Sequence, residues 1–201
     1  MAAHQKNAAD AGATLAFSDE AGFLLLPLVR TTLAPRGHTP VLTHRARQRD
    51  KISVAAALTV PPPGHTAARI GLYCLTFPGD YVDAEAYAEF VRGCLLRAVR
   101  GSLVLLHDNG QMHHGPDLRA VEHRFPRLTL EPLPRYAPEL NPVEGLWNHA
   151  KDKELANFVP RGTDQLHDAV CECLSDVRHD QRRLRSFFHA TPLSWRGTLL
   201  K

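Results

Sequence analysis

An α/β fold with a mixed sheet is what this sequence predicts, and three observations predict it. Apolar runs and period-two alternation mark several strands in the first two thirds of the chain. The first three strands come before any long helical pattern, whereas later strands alternate with helices. From Asn141 onward only helical spacing is found. A chain of 201 residues can bury one sizeable core, so a single domain over 13–190 is expected, with tails at 1–12 and 191–201.

The elements follow in order. Residues 1–12 are small and polar and read as a loose tail. "TLAFSDEAGFLLLPL" reads as a strand, a bend at Gly22 and a second strand. "RTTLAPRGHTPVLTHRARQRD" is rich in Pro, Thr and Arg and reads as an excursion with hairpin character around Arg36 and Gly37. "KISVAAALTV" and "ARIGLYCLTF" flank the turn "PPPGH" and predict an antiparallel pair. Apolar residues at 87, 90, 91, 94, 95 and 98 have helical spacing, with Asp83 as N-cap. "SLVLLHDN" is almost wholly apolar, as a central strand buried on both faces should be. A short helix ("GPDLRAVEHRF") and a strand ("RLTLEPL") follow, then helices over 142–157, 163–178 and 180–189. An antiparallel meander followed by alternating strands and helices, covered on both faces and extended by C-terminal helices, is the pattern of a ribonuclease-H-like α/β fold.

Composition sets limits. Apolar content of 44% and charged content of 22% are those of an ordinary globular domain. No apolar run nears the ~20 residues of a membrane span. The N-terminal stretch lacks the basic start and apolar core of a secretory signal, so a cytoplasmic location is expected and no membrane partner. A net charge of +3 permits a polyanionic partner without demanding one. The cysteines at 74, 94, 171 and 173 have no zinc or redox spacing and read as small buried residues.

Three carboxylates stand out. Asp19 lies in the first strand, on one face with Leu15 and Phe17, while Ala16, Ser18 and Glu20 take the other. Asp108 closes the apolar strand, where a charge is costly unless the site is open, paired or metal-bound. If those two strands are parallel neighbours, the two acids meet at one end of the sheet. Glu144 stands at the third position of a helix whose N-cap is Asn141 and whose first residue is Pro142. Taken alone, Glu144 could simply close a capping box with Asn141. Taken with the others, it is the third of three acids on three separate elements. Carboxylate oxygens are the hard ligands Mg²⁺ prefers, and a pair of such ions suits phosphoryl displacement. Pro134, Pro138 and Pro142 stiffen the approach and so fix where Glu144 arrives.

"FSDEAGF", "LHDNGQMHH" and "LPRYAPELNPVEGLWNHAK" resemble the three acidic motifs of DDE transposases, most closely the bacterial insertion-sequence 630 type of the mariner superfamily. The third motif is the most specific, matching at Leu133, Pro134, Tyr136, Pro138, Leu140, Asn141, Pro142, Glu144 and Trp147. Asp108, Asn109 and His113 match the second. The resemblance covers roughly residues 14 to 190. It implies that Asp19, Asp108 and Glu144 are catalytic and hold two Mg²⁺ or Mn²⁺ ions, Asp19 bridging both. It implies a water that cuts the transposon end and a freed 3′-hydroxyl that attacks target DNA, typically at a TA step. Family members usually carry helix-turn-helix modules ahead of this domain, and only eighteen residues precede Asp19 here. A separate helix-turn-helix polypeptide and a homodimer are therefore expected partners, besides transposon-end and target DNA. Two alternatives stay open: a non-catalytic partial transposase that binds DNA or full-length subunits, and another ribonuclease-H-like nuclease.

Other residues have weaker claims. His113 is expected to orient a group near the metals or to touch DNA. His107 reads as a sheet residue, and no Cys/His pair has zinc spacing. Asn148 and Lys151 lie four and seven positions after Glu144, on the same helical face, and could meet the DNA backbone. Trp147 is expected in the core. Arg45 and Arg47, in the basic run "HRARQRDK", are candidate phosphate contacts, as is the run "RHDQRRLR" at 178–185.

Overall fold

The computed structural model describes residues 12–43, 50–62 and 69–193. Its centre is a five-stranded sheet of β1 (Thr14–Leu24), β2 (Lys51–Val60), β3 (Gly71–Pro78), β4 (Leu103–His107) and β5 (Leu128–Pro132). The spatial order is β3-β2-β1-β4-β5. β1, β2 and β3 pair antiparallel, and β4 and β5 continue parallel to β1. The expected mixed sheet is present, with the apolar run of β4 in its interior.

Helix α1 starts at Ala84–Glu89, widens into a π-helical stretch at Phe90–Leu95 and ends at Leu96–Ala98. Asp83 caps it as expected, accepting from the Ala86 N–H at 2.8 Å. Helix α2 is Pro116–Arg124. Helix α3 is Val143–His149, followed directly by a π-helical stretch, Ala150–Glu154. Helices α4 (Thr163–His179) and α5 (Gln181–His189) complete the chain's described part. Tyr87, Phe90 and Leu95 of α1 and Leu118 of α2 pack on one sheet face with Ala16, Ala55 and Ala57. Leu146, Trp147, Val170, Leu174 and Phe188 pack on the other with Phe17, Val54 and Leu58. Leu166, Val170, Cys173, Leu174 and Val177 form the face of α4 that is buried in this core.

Several readings are corrected. There is no bend at Gly22: β1 is one strand, and Gly22 pairs in register with Ser53 of β2. A continuous ladder of backbone hydrogen bonds overrides the local weakness of a glycine. Around Arg36 and Gly37 there is a turn, closed by the His38 N–H on the Pro35 carbonyl, but among the described residues no strands pair across it. The segment crosses an exposed surface and is tied back by an ion pair between Arg30 and Asp152 at 2.6 Å. Of the cysteines, only Cys173 is buried, and Cys171 is exposed. Arg45 and Arg47 lie outside the described residues, as do most of the two expected tails. No helix among the described residues is long and apolar enough to cross a membrane.

Candidate functional site

The site is built where β4 ends beside the middle of β1. Their parallel register ends at Phe17 opposite Leu106. Two residues further on stand Asp19, still within β1, and Asp108, just past the end of β4. Glu144 comes from α3, and the three acids line one cleft of about 460 Å³. The rest of its wall is mainly the loop from Leu133 to Asn141.

That loop is anchored at both ends. At its start the Leu133 N–H donates to the His107 carbonyl at 2.7 Å, and Asn109 Nδ2 donates to the Leu133 carbonyl at 2.6 Å. At its end Asn141 makes four bonds. Its N–H donates to the Pro138 carbonyl at 2.9 Å, and its carbonyl accepts from the Glu144 N–H at 3.1 Å. Its Oδ1 accepts from the Val143 N–H at 3.2 Å, and its Nδ2 donates to the Ser18 carbonyl of β1 at 3.1 Å. Asn141 therefore caps α3 and straps it to the strand that carries Asp19. The capping-box reading fails, because the Asn141 N–H is already taken by Pro138. Glu144 accepts no hydrogen bond among the described residues, so its carboxylate is left to the cleft. Gly145 follows it where α3 crosses α5, and a Cβ there would stand 3.0 Å from the Phe187 ring.

Asp19 is in a hostile place for a charge. Burial, then the negative charges of Glu20 and Glu144, push its pKa from 3.8 up to about 7, against a hydrogen bond from Trp147. That bond runs from Trp147 Nε1 to Asp19 Oδ2 at 2.9 Å. Trp147 is in the core as expected, with its ring edge-on to Phe23, but its polar edge also serves the site.

Asp108 is treated differently. His113 Nε2 lies 2.9 Å from Asp108 Oδ1, and the Gly110 N–H donates to the same oxygen at 2.7 Å. The hydrogen bond from His113 is the main reason the Asp108 pKa falls below its ordinary value. His113 also stands 3.6 Å from Glu20 Oε2. Burial alone would lower the His113 pKa, but its bonds to Asp108 and Glu20 and their charges raise it to about 9. The imidazole is only 1% exposed and packs edge-on to Tyr87, whose hydroxyl bonds Ser18 at 2.6 Å. His113 thus has no surface to offer DNA, and of its two expected roles the geometry supports the orienting one, with Asp108 as the group it holds. His107 is a buried sheet residue as expected.

Lys151 is half-buried behind Asp19 and Glu144, its Nζ 5.4 Å from the Phe23 ring centre. Burial lowers its pKa against the pull of those two acids. Asn148 is exposed. Glu20 was missed by sequence reasoning as a site residue; its one signal was the strand alternation that turns it away from Asp19.

Three carboxylates are donors of the kind a hard divalent cation takes, and among the described residues Asp19 and Glu144 have no cationic partner within bonding distance. Among the described residues no group of three His, Cys, Asp or Glu side chains is set to hold a metal ion, so Asp19, Asp108 and Glu144 share the cleft without forming a closed cation site.

A five-stranded mixed sheet with helices on both faces, and three acids from two strands' neighbourhood and a helix lining one cleft, has the architecture of a ribonuclease-H-like domain. The sequence profile of the DDE superfamily endonucleases matches residues 14–166, and the chain belongs to that family. Solved structures agree on the fold. The Mos1 mariner paired-end complex with Mn superposes with a TM-score of 0.66 at 17% identity, over 95% of this chain and 55% of that one. The Mos1 strand transfer complex gives 0.62 at 18%, over 94% and 55%. The catalytic domain of Mos1 mariner transposase gives 0.57 at 15%, over 94% and 82%. A curated relative, the uncharacterized protein y4pE/y4sA of Sinorhizobium fredii (strain NBRC 101917 / NGR234), is 32% identical over 92 residues, 45% of this chain and 65% of that protein. The chain thus spans less than two thirds of that relative's length.

Proposed function

We propose that this chain is the catalytic domain of a transposase of the insertion-sequence 630 type, which cuts and rejoins DNA strands at transposon ends. The observation that carries this is the convergence of Asp19, Asp108 and Glu144, from three separate elements, on one open cleft in a member of an endonuclease family. These three are the proposed catalytic and metal-holding residues. Two Mg²⁺ or Mn²⁺ ions, when bound, would stabilise the attacking and leaving oxygens of the phosphoryl displacement. The site favours a cation on electrostatic grounds, because Asp19 is half-buried beside two like charges. The open arrangement leaves coordination to be completed by water and by DNA phosphate oxygens.

The chain's own residues hold the acids in place. Trp147 fixes Asp19, His113 and Gly110 fix one oxygen of Asp108, and Asn141 sets the helix that presents Glu144. Lys151 adds a cation near the acids, and Asn148, exposed one turn after Glu144, is a proposed phosphate contact. The Mos1 neighbours are paired-end and strand transfer complexes. Transposon-end DNA and pairing of two ends are accordingly part of the proposal; a TA target, a homodimer and helix-turn-helix modules are proposed on the resemblance of the three acidic motifs alone.

The test is nicking of a labelled duplex carrying the element's ends, with Mg²⁺ or Mn²⁺, by wild type and Glu144→Ala. A polypeptide with the helix-turn-helix modules is added to half the reactions. Nicking by wild type and its loss in the variant are expected. Retained nicking by Glu144→Ala would sink the site assignment. No nicking by folded wild type in any arm would sink the endonuclease reading.

A further inference from the structure

We infer that Tyr136 is a base-stacking residue: its ring, at the crest of the loop over the cleft, takes an unpaired nucleobase next to the phosphate being cut. The inference rests on the DNA-cutting function proposed above and adds how the DNA end is held.

A single exposed aromatic is ordinary on a protein surface and proves nothing. Tyr136 is more than that. It is 98% exposed, and it makes no hydrogen bond or ring contact among the described residues. Its φ is +59°, in the left-handed region that a bulky side chain adopts rarely. Folding stability alone rewards neither feature. The conformation persists because the loop is held on both sides, through Leu133 and Asn109 at one end and Pro138 and Asn141 at the other. Such outliers collect where a site must be shaped in advance. Tyr136 lines the same cleft as Asp19, Asp108 and Glu144. Its neighbour Arg135 lines it too and is exposed, so a cation for phosphate stands beside a flat apolar ring.

The geometry narrows the ligand. Within a duplex the faces of each base are covered by its neighbours. A ring rooted in the protein can stack only on a base that is frayed, flipped or at a strand end. Because Pro134 and Pro138 already restrict the loop, little freedom remains to be lost when the base docks. Stacking of one base on an aromatic side chain changes affinity by about 5- to 150-fold.

The experiment uses duplexes carrying the element's end with 2-aminopurine at successive positions around the cleavage site. Binding is read in Ca²⁺ and cutting in Mg²⁺, for wild type, Tyr136→Phe, Tyr136→Trp and Tyr136→Asn. Asparagine accepts the left-handed backbone, so that variant removes the ring while keeping the loop. Expected is an emission change at one or two adjacent positions with wild type, Phe and Trp that is absent with Asn. Binding by Tyr136→Asn should weaken about 5- to 150-fold with an unaltered melting temperature. An abasic site at the responsive position should erase the difference between wild type and Asn. If wild type cuts and Tyr136→Asn binds, reports and cuts identically, the stacking role is overturned while the nuclease function stands. If folded wild type neither binds nor cuts the duplex, both fall.

Discussion

Replacing Asp19 by Asn should make the metal-free protein more stable, and the gain should depend on pH. Folding raises the Asp19 pKa from 3.8 to about 7, chiefly by burial and then by the charges of Glu20 and Glu144. An acid raised in this way binds its proton more tightly when folded. Its charge therefore costs nothing below about pH 4, costs progressively more as pH rises to about 7, and costs a constant amount above. At 1.36 kcal/mol per pH unit the full cost is on the order of 4 kcal/mol, and residual solvent around a half-buried carboxylate reduces it to ~2–4 kcal/mol. Asn keeps an oxygen that can accept from Trp147 Nε1, so little else is lost. For a domain of this size each kcal/mol is worth about 2–4 °C, so Asp19→Asn should melt roughly 4–16 °C above wild type at pH 8.5 in EDTA. Near pH 4 the two should converge. Mg²⁺ or Mn²⁺ should raise the wild-type melting temperature and leave the variant's nearly unchanged. A stability difference that is absent at pH 8.5, or that does not shrink on acidification, would refute the electrostatic argument.

Two further outcomes follow from the same site. Asn141→Ala removes the cap on α3 and the strap to Ser18, and should cost about 2 kcal/mol in urea unfolding and depress nicking; Asn141→Asp, which keeps the cap but loses the strap, should recover only part of both. His113→Ala should destabilise most below about pH 6.5, because a histidine raised to about 9 contributes fully below its unfolded pKa, and the penalty should fade as pH climbs through 9. Urea midpoints at pH 6 and pH 10 compare the two regimes.

The parts of the fold written in short-range pattern were legible in the sequence. The apolar run of β4, the spacing of α1 and the Asn-Pro start of α3 each follow from side-chain periodicity or backbone restriction. So does the meeting of Asp19 with Asp108, which needs only parallel neighbours and a shared end. What was not legible depends on contacts between distant segments. Glu20 and His113 are far apart in sequence, and only the assembled sheet end brings them within 3.6 Å. Trp147 reads as core from its position on α3, and nothing local says its Nε1 finds Asp19. The π-helical stretches in α1 and after α3 add so little to the period that the apolar spacing looks helical throughout. Gly22 misled because a glycine's local cost is small beside a ten-residue ladder.

The adjacent acids Asp19 and Glu20 show what the register of β1 decides. Side chains alternate across a strand, so two neighbouring carboxylates must go to opposite faces. Asp19 follows Phe17 toward α3, where Trp147 holds one oxygen and the cleft lies open. Glu20 follows Ser18 toward α1, where His113 stands between it and Asp108. A slip of one residue against β2 would exchange the two: the longer acid would enter the cleft and the shorter would be drawn away from His113. The register that prevents this is set by Phe17 and Phe23 on one face and by Ala16 and Ser18 on the other, where Tyr87 leaves room only for small side chains. The apolar pattern of β1 therefore does more than build a core, because it selects which of two carboxylates meets Asp108 and Glu144.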